Sequence, residues 1–494
     1  MALLCRGHAC HPHQAKACRT MNATMRMLGR YPEARHFFAE NLRLREQGTK
    51  QATHGPAAQF LWTMRKCQGW TFNTETLTVH LPSGEDFMVD HHDSELLAHH
   101  TRDALRASRW REAAKRRPSL QGMEEIPVDR ECSLAYLNSL RSASDRKLMQ
   151  SILTGGLKTR ERAHRAKQAT NPGCPWVCWP RGVPETLHHV YYDCSAWAEH
   201  RPATLMQDLF SHPQRPPCTL MHGLALESET VQQASREISS QRIPEVSEDV
   251  RARLGQGDGQ NQEGRTADGR TIIYTDGANK RGFRSQLRQG GIGAFWGAGH
   301  FANFALPLGG RSQTNQRAEL QAFLRAAQTD PRRLLIKTDS QYVVGGVRQF
   351  PCWRERGWEG PNWDLWEQVR QLLSADPSRV DVQWVKGHAS MADVRRNVTT
   401  WEDRVGNNCA DRLAGQGADL ACLACPSLAA ATALQQQRRE FAVAHHKMLL
   451  GVAKEWHAAV QELPFLYSRA APNPCAPPSR PGSFARRALR RRLV

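Results

Sequence analysis

The pattern of hydrophobic and polar positions divides the chain into segments with different periods. Residues 94–170 place apolar side chains at three- and four-residue steps, as in SELLAHHTRDALRASRWREAAKRR, which predicts helices. Around residues 226–270 the text changes to Ser, Gln, Gly, Glu and Asp, which predicts a flexible linker. From residue 271 onward, TIIYTDG, GGIGAFWG and HFANFALPL predict three short strands between turn-rich stretches.

Helical and strand patterns alternate after these three strands. RAELQAFLRAAQ predicts a helix, and RRLLIKTDS predicts a buried strand. QYVVGGVRQF and WDLWEQVRQLLSA predict two more helices, and VDVQWVKGH predicts a strand before a last helix near NNCADRLAGQGA. Strands first, followed by alternation with helices, indicate a mixed α/β domain. A further helix is predicted near residues 436–460.

These changes of pattern predict five segments. They are a basic N-terminal region of unknown fold (1–93), a helical region (94–225), the flexible linker (226–270), the α/β domain (271–420) and a C-terminal helix with a basic tail (421–494). The tail ends in SRPGSFARRALRRRLV, which favours a phosphate-binding arm without a fold of its own.

Composition and charge narrow the class of protein. With 40% hydrophobic and 23% charged residues, the chain is typical of globular proteins. No apolar run is long enough to predict a membrane span. The net charge of +19 favours a polyanionic partner, either nucleic acid or an acidic membrane surface. The 14 cysteines are scattered, unlike those of a small secreted disulfide scaffold. No protein partner is indicated.

The N-terminus bears on localisation. Met1–Cys5 leads into His and Pro rather than into an apolar core, so no secretory leader is predicted. Basic residues precede the first acid, Glu33, which is compatible with an organelle transit segment. We expect a nuclear or cytoplasmic location, with organelle targeting as the alternative.

Four acidic residues stand next to predicted apolar elements. Asp276 and Asp339 each end a predicted strand, Glu319 lies near the start of a helix, and Asp411 lies early in the last one. If folding gathers these carboxylates, their repulsion calls for a divalent cation, and hard oxygen ligands suit Mg²⁺ or Mn²⁺. Two such ions about 4 Å apart can activate a water and stabilise the leaving oxygen of a phosphodiester. The alternative is four unrelated caps and turns.

Residues 271–420 resemble a type 1 ribonuclease H domain. The matching text runs in order as YTDG, GGIGAFW, TNQRAELQA, KTDSQYV, WRERGW with NWDLWEQV, WVKGH and NNCADRLA. The resemblance covers about 150 residues, less than a third of the chain. It implies a five-stranded mixed sheet flanked by helices, beside a mainly helical N-terminal region.

The resemblance also implies roles for the acids and for one histidine. Asp276 would bridge two Mg²⁺ or Mn²⁺ ions, and Glu319 and Asp339 would complete the ion on the leaving-group side. Asp411 would join Asp276 on the ion that holds the attacking water. His388 resembles the family's mobile histidine, which assists proton transfer and product release; the alternative is a histidine that only caps a strand.

Substrate contacts follow from the same resemblance. Asn315 and Gln316 resemble the minor-groove contacts that recognise 2′-hydroxyls. Phe350 and Trp353 resemble the aromatic channel beside the DNA strand, with packing in the core as the alternative. Asn362 would serve the phosphate pocket.

Three departures from the family pattern concern these contacts. Glu359, Gly360 and Pro361 stand where some members have a basic substrate-binding handle. Ser312 replaces the phosphate-pocket arginine, and Arg311 lies one position away. The 22 residues between His388 and Asp411 exceed those of short members and predict a longer, mobile loop.

Residues 174–194, CPWVCWPRGVPETLHHVYYDC, combine cysteine and histidine at metal-ligand spacing. Cys174 and Cys178, followed by His189 and Cys194, match a closed tetrahedral zinc site, with His188 as an alternative ligand. The segment resembles the zinc-binding region that follows reverse transcriptase in non-long-terminal-repeat retrotransposons. The resemblance implies a small zinc-knuckle-like module whose neighbours Arg160, Arg162, Arg165 and Lys167 face phosphate. The alternative is four buried or free side chains without metal.

Two functions follow from these features. The first is an endonuclease, of retrotransposon origin, that hydrolyses the RNA strand of RNA–DNA hybrids by a two-metal-ion mechanism. The second is a catalytically weak retroelement remnant that only binds nucleic acid. The four acids favour the first, whereas the short handle and long loop leave room for the second.

Overall fold

A computed structural model describes most of the chain. The described residues are 12–46, 55–82, 84, 86–89, 94–176, 178, 181–212, 215–280, 287–310, 312–358 and 360–462. The basic tail, Arg311 and Glu359 lie outside them. The α-helices are α1 (Pro12–Arg30), α2 (Glu33–Glu46), α3 (Pro56–Lys66), α4 (Ser94–Arg116), α5 (Arg130–Ser139), α6 (Ala143–Leu153), α7 (Arg160–Arg165), α8 (Ala203–Phe210), α9 (Pro217–His222), α10 (Glu229–Ser240), α11 (Glu248–Gly255), α12 (Asn315–Thr329), α13 (Gln341–Arg348), α14 (Phe350–Trp353), α15 (Trp363–Ala375), α16 (Met391–Arg395), α17 (Trp401–Leu423) and α18 (Leu428–Glu462). The strands are β1 (Thr71–Asn73), β2 (Thr78–His80), β3 (Asp86–Met88), β4 (Gly264–Arg265), β5 (Thr271–Lys280), β6 (Gln289–Phe295), β7 (Phe304–Pro307), β8 (Leu334–Thr338) and β9 (Val380–Trp384).

A mixed sheet forms the centre of the α/β domain. Its strands lie in the order β7-β6-β5-β8-β9, with β5, β6 and β7 antiparallel and β5, β8 and β9 parallel. The two-residue strand β4 adds a sixth member beside β5. The mixed α/β class and the five main strands predicted from the sequence are therefore confirmed.

Helices pack on both faces of this sheet. Successive residues of β6 point to opposite faces, and each face contacts a different helix. Ile292 points toward α12 and packs with Ala318 and Ala322. Gly291 and Gly293 point toward α17, whose backbone comes so close that a Cβ at Gly293 would lie 2.4 Å from the Ala414 nitrogen. The glycines therefore let α17 lie directly on the sheet, and this contact brings Asp411 over strands β5 and β6.

The C-terminal helix α18 packs with the helical region rather than forming a separate segment. Met448, Leu449 and Trp456 share one buried core with Trp110, Met149 and other residues of 110–224. Trp456 Nε1 also donates to Glu185 Oε1 at 3.1 Å. The α/β domain is thus inserted between two parts of a single packed helical unit, which the sequence division at residue 421 did not anticipate.

The expectation of a flexible linker over 226–270 is wrong for much of that segment. It contains α10, α11 and β4, and Val231, Ala234 and Ile238 of α10 are buried against Ala431 and Cys425. Their spacing of three and four residues makes an apolar stripe that the polar composition concealed. Within 1–93, the described residues form α1–α3 and a three-stranded sheet of β1–β3.

No single helix of the described ranges is long and apolar enough to cross a membrane. The pair α17 and α18, bent by 88° at its junction, meets that test in length and composition when taken together.

Candidate active site

Asp276 lies in the middle of β5, not at its end as predicted, because the strand continues to Lys280. Its residue is 7% exposed, and its Oδ1 accepts a hydrogen bond of 2.7 Å from the Gly277 nitrogen. In the antiparallel pairing it stands opposite Gly293, which leaves space beside the carboxylate on the face covered by α17. The β-branched run before it buries the strand, and the run thereby holds a carboxylate inside the domain.

Glu319 lies in the second turn of α12. Thr314 caps the N-terminus of this helix, and its Oγ1 accepts a hydrogen bond of 3.2 Å from the Arg317 nitrogen. Gly277 accounts for the close position of the helix, since a Cβ there would be 2.3 Å from the Glu319 nitrogen. Ser340 donates a hydrogen bond to Glu319 Oε2. Gly277 therefore lets α12 lie close to β5, and this close approach brings Glu319 toward Asp276.

Asp339 directly follows β8, as the sequence predicted. Its Oδ2 accepts from Asn407 Nδ2 at 3.5 Å, and its backbone oxygen accepts from Trp384 Nε1 at 3.1 Å. Gly387 lies against the carboxylate, where a Cβ would be 2.2 Å from Asp339 Oδ2. The loop after β9 is thereby held next to Asp339, and this loop carries His388.

Asp411 lies in the middle of α17, not early in a helix, because α17 already begins at Trp401. Its side chain is 46% exposed, and its Oδ2 is 4.0 Å from His388 Nδ1. The His388 side chain is 83% exposed, and its backbone has a left-handed φ of 48°. A non-glycine residue in this conformation stores strain, which is typical of functional loops.

The four acids form one electrostatic group. Burial raises the pKa of Asp276 to about 8, and the charges of Asp339, Asp411 and Glu319 add to the increase. Burial also raises the pKa of Glu319 and of Asp339, each with a further contribution from another acid of the group. Among the described residues, no lysine or arginine forms an ion pair with any of the four. Within the described ranges, the carboxylates therefore have no lysine or arginine partner, and carboxylate oxygens are the ligands that Mg²⁺ and Mn²⁺ prefer.

The segment between His388 and α17 is folded, in contrast to the mobile loop that its length predicted. It contains α16, which begins with a capping box of Ser390 and Asp393. Asp393 also accepts from Lys386 Nζ at 2.6 Å and from Arg396 at 3.0 Å. Because Lys386 precedes His388 by two residues, these contacts tie the segment to the loop that carries the histidine.

The predicted substrate contacts separate into two groups. Asn315 and Gln316 are exposed at the start of α12, one turn from Glu319, where an external ligand can reach them. Phe350 and Trp353 are 8% and 2% exposed and belong to the core of the domain, so packing, the alternative given above, describes them. Asn362 is 2% exposed, and its Oδ1 lies 3.5 Å from Arg317.

Sequence reasoning missed several residues that hold the acids in place. Three of them, Ser340, Asn407 and Gly387, each contact an acid of the group. Two others, Tyr274 and Lys337, bind Asp403 and so anchor the first turn of α17. Ser340 carried a signal, since it follows Asp339 directly. Asn407 carried none, because its contact spans 68 positions along the chain.

The predicted cysteine and histidine ligands also meet in space. The ligand atoms of Cys174, Cys178, His189 and Cys194 all lie within 4.8 Å of one another. The Cys174 and Cys194 sulfurs are 3.9 Å apart, close to the roughly 3.8 Å expected for two sulfurs bound to tetrahedral zinc. His189 Nε2 is buried and has no hydrogen-bond partner within the described part of the chain. His188 instead pairs with Asp193, which favours His189 as the fourth ligand.

Two of the basic residues that were expected to face phosphate near this cluster instead make contacts within the helical region. Arg160 is 2% exposed, and Arg162 donates to the backbone oxygens of Gly155 and Leu157. These two arginines therefore stabilise the helical region itself. Arg165 is exposed and pairs with Glu161.

Comparison with known proteins finds similarity over the α/β domain. The RNase H family model matches residues 268–419. Ribonuclease H of Albidiferax ferrireducens is 34% identical over 158 residues, which are 30% of this chain and 94% of that protein. Ribonuclease H1 of Mus musculus is 33% identical over 156 residues, which are 30% of this chain and 50% of that protein. The chain thus spans about half the length of the mouse protein.

Solved structures that are similar to this chain include that of the foamy viral protease-reverse transcriptase in complex with dsDNA. It is 25% identical, and the match covers 30% of this chain and 92% of that chain, with a TM-score of 0.24.

Proposed function

Because this chain belongs to the ribonuclease H family, we propose that it hydrolyses the RNA strand of RNA–DNA hybrids and leaves 3′-hydroxyl and 5′-phosphate ends. The observation that carries this proposal is the group of Asp276, Glu319, Asp339 and Asp411. Three of them have a raised pKa through burial and mutual repulsion. Such a group destabilises the fold unless it binds cations, so its presence favours a metal-dependent reaction.

Two Mg²⁺ or Mn²⁺ ions, when bound, would supply an activated water and stabilise the leaving oxygen. The donor set fits them, because it offers carboxylate oxygens and no competing lysine or arginine among the described residues. Asp276 interacts electrostatically with each of the other three acids and would hold both ions. Glu319 and Asp339 would complete one site, and Asp411 the other.

His388 is the group best placed to move a proton near this site. It is exposed, and its Nδ1 lies 4.0 Å from Asp411, so it can approach that end of the site without losing contact with solvent. The anchored segment after it keeps the loop in position. We assign to His388 proton transfer and product release.

Recognition of the RNA strand falls to the exposed start of α12. Asn315 and Gln316 present amide groups, which can both donate to and accept from a 2′-hydroxyl. The buried rings of Phe350 and Trp353 are not part of this proposal.

The second metal site is structural. We propose that Cys174, Cys178, His189 and Cys194 bind Zn²⁺, since three sulfurs and one imidazole converge and His189 Nε2 has no other partner among the described residues. The ion would hold together the loop 174–194 within the helical unit. The resemblance of this segment to the region after reverse transcriptase supports a retrotransposon origin.

The nuclease proposal is tested by incubating the purified chain with labelled RNA–DNA hybrid, duplex DNA and duplex RNA in magnesium. We expect cleavage of the RNA strand of the hybrid alone. Asp276→Asn should reduce the rate by about 1,000-fold or more, since it removes a ligand shared by both ions. Asp381→Asn, at an exposed position of β9, serves as the matched control and should retain the rate. Hybrid binding without cleavage in magnesium or manganese would instead select the nucleic-acid-binding remnant.

A further inference from the structure

Most of the exposed large apolar side chains of the α/β domain lie in one segment. Among the described residues of 271–420, they are Trp384, Met391, Val398 and Trp401, with 41%, 43%, 52% and 50% of their surface exposed, and Leu420, with 48% exposed, near the end of α17. The first four lie between residues 384 and 401, on either side of His388. We call these four side chains the insert face. Several exposed apolar side chains within so short a segment mark an interaction site.

The insert face is held rigidly by buried charges. Asp393, in α16, pairs with Lys386 and Arg396. Asp403, in the first turn of α17, accepts from Tyr274 Oη at 2.9 Å and pairs with Lys337. Tyr274 belongs to β5, which also carries Asp276, and Lys337 belongs to β8, which Asp339 directly follows. The exposed apolar groups are therefore fixed relative to the acids and do not belong to a segment that collapses onto the core.

Two contacts place the face at the edge of the active site. Trp384 Nε1 donates to the backbone oxygen of Asp339 at 3.1 Å, so its indole lies beside that acid. Arg404 Nε donates to the Ala389 oxygen at 3.0 Å, and its guanidinium lies 5.4 Å from the ring centroid of Trp401. Trp401 is thus linked through Arg404 to the residue that follows His388.

The charge of this segment suits an anionic chain. Arg395 and Arg396 are exposed, whereas Asp393 and Asp403 are buried and paired. One exposed acid, Glu402, follows Trp401. Exposed tryptophans next to arginines are the groups that bind single-stranded nucleic acid, by stacking on bases and neutralising phosphates. In a duplex the base faces are covered by neighbouring pairs, so indole rings can stack only on unpaired nucleotides.

We propose that the insert face binds unpaired nucleotides that adjoin the hybrid, so that the enzyme prefers hybrids with a single-stranded extension. The proposal rests on the nuclease function above for its biological meaning. It also assigns a role to the additional residues between His388 and Asp411, which lie beside a site without a basic handle.

The test measures binding by fluorescence anisotropy with the full chain, in buffer without added divalent ions so that no hydrolysis occurs. The probes are a blunt hybrid and the same hybrid with about ten unpaired nucleotides on either the RNA or the DNA strand. A further probe carries an abasic extension, which keeps the phosphates and lacks the bases. We expect about fivefold or tighter binding of at least one base-carrying extension, because one stacked base contributes about 1 kcal/mol or more. The abasic extension should not show this gain.

Variants assign the gain to the insert face. Trp401→Ala should bring the affinity ratio of extended to blunt hybrid down to that of the abasic probe, whereas Trp401→Tyr should retain most of it. Trp62→Ala, at a tryptophan that is 38% exposed outside the domain, is the matched control and should keep the ratio. Equal affinity of the unmodified chain for blunt and extended probes, or a ratio that survives Trp401→Ala, would overturn the proposal. A protein partner on this face would give that same result. Failure of the nuclease function would appear separately, as a lack of cleavage in magnesium.

Discussion

Gly277 and Glu319 approach each other so closely that a side chain on Gly277 would collide with the helix that carries Glu319. An added Cβ would lie 2.3 Å from the Glu319 nitrogen and 2.4 Å from the Ala318 carbonyl carbon. The residue next to Asp276 therefore sets the distance between two acids on different elements. The Asp-Gly pair is part of the site rather than a turn.

This contact predicts the effect of Gly277→Ala. The added methyl should push α12 away from β5, destabilise the domain by about 1–3 kcal/mol and reduce hydrolysis of the hybrid. Gly345→Ala is the matched control, because Gly345 lies inside α13 with no atom within 4 Å of an added Cβ. That change should stabilise the protein by up to about 1 kcal/mol through helix propensity. Thermal unfolding and the cleavage rate measure both variants, and equal behaviour of the two would contradict the role of Gly277.

The raised pKa of Asp276 predicts a dependence of stability on pH in metal-free protein. Its pKa is about 8 in the fold, mainly through burial and then through Asp339, and about 3.9 in an unfolded chain. Between these values the folded state binds more protons, so stability should fall as the pH rises from about 4 to about 8. Asp276→Asn replaces the titrating carboxyl group with a neutral amide. At pH 8 this variant should therefore unfold at a higher temperature than the unmodified chain.

Magnesium should restore the stability that is lost as the pH rises, because the ion takes the place of the proton on the Asp276 carboxylate. The increase in unfolding temperature on adding magnesium should be larger at pH 8 than at pH 6, and absent in Asp276→Asn. Asp381→Asn should behave as the unmodified chain does. An unchanged magnesium effect in Asp276→Asn would show that the ion binds elsewhere.

Asp393 predicts how the segment after His388 is held. Asp393→Ala removes the ion pair with Lys386 and the capping box with Ser390. The segment should therefore open and become sensitive to trypsin after Arg395 and Arg396. The turnover number should fall because the loop with His388 loses its support. Mass spectrometry of the tryptic peptides, with the cut after exposed Arg356 as reference, measures the opening.

Glu402→Ala is the control for that experiment, since Glu402 is an exposed acid in the first turn of α17, directly after the segment. It should leave both the tryptic pattern and the turnover number unchanged. If Asp393→Ala is cut no faster than Glu402→Ala, the anchoring role of Asp393 is wrong.

The cysteine cluster predicts one bound zinc ion per chain. Cys174→Ser should lose most of that zinc and lower the unfolding temperature of the helical unit, because the cluster lies within the core that α18 completes. Cys352→Ser, at an exposed cysteine of the α/β domain, should keep the metal. Elemental analysis of the purified proteins decides the matter, and zinc retained by Cys174→Ser would exclude these ligands.

Local features of this chain could be predicted from its sequence because they depend on neighbours. The β-branched run before Asp276, the strand before Asp339 and the helix around Glu319 all have clear periods, and the five main strands were confirmed. Short spacing also predicted Cys174, Cys178, His189 and Cys194, and these ligands do converge. In each case the signal spans a few residues up to about twenty.

Contacts between distant residues were decided by the tertiary structure. Composition predicted a linker where α10 in fact packs on Ala431. Nor did the sequence indicate the hydrogen bond between Tyr192 and His445, which are 253 positions apart. Trp353 looks the same in sequence whether it faces DNA or the core, and only the packing of α12–α15 buries it.

The sequence by itself determined which residues carry carboxylates, thiols and imidazoles, and on which elements they lie. The tertiary structure decided that the acids share one site, that the segment after His388 is anchored and that Trp401 stays exposed. The reason is physical: periodicity and spacing reflect interactions along one element, whereas burial and shared electrostatics arise when separate elements pack against each other.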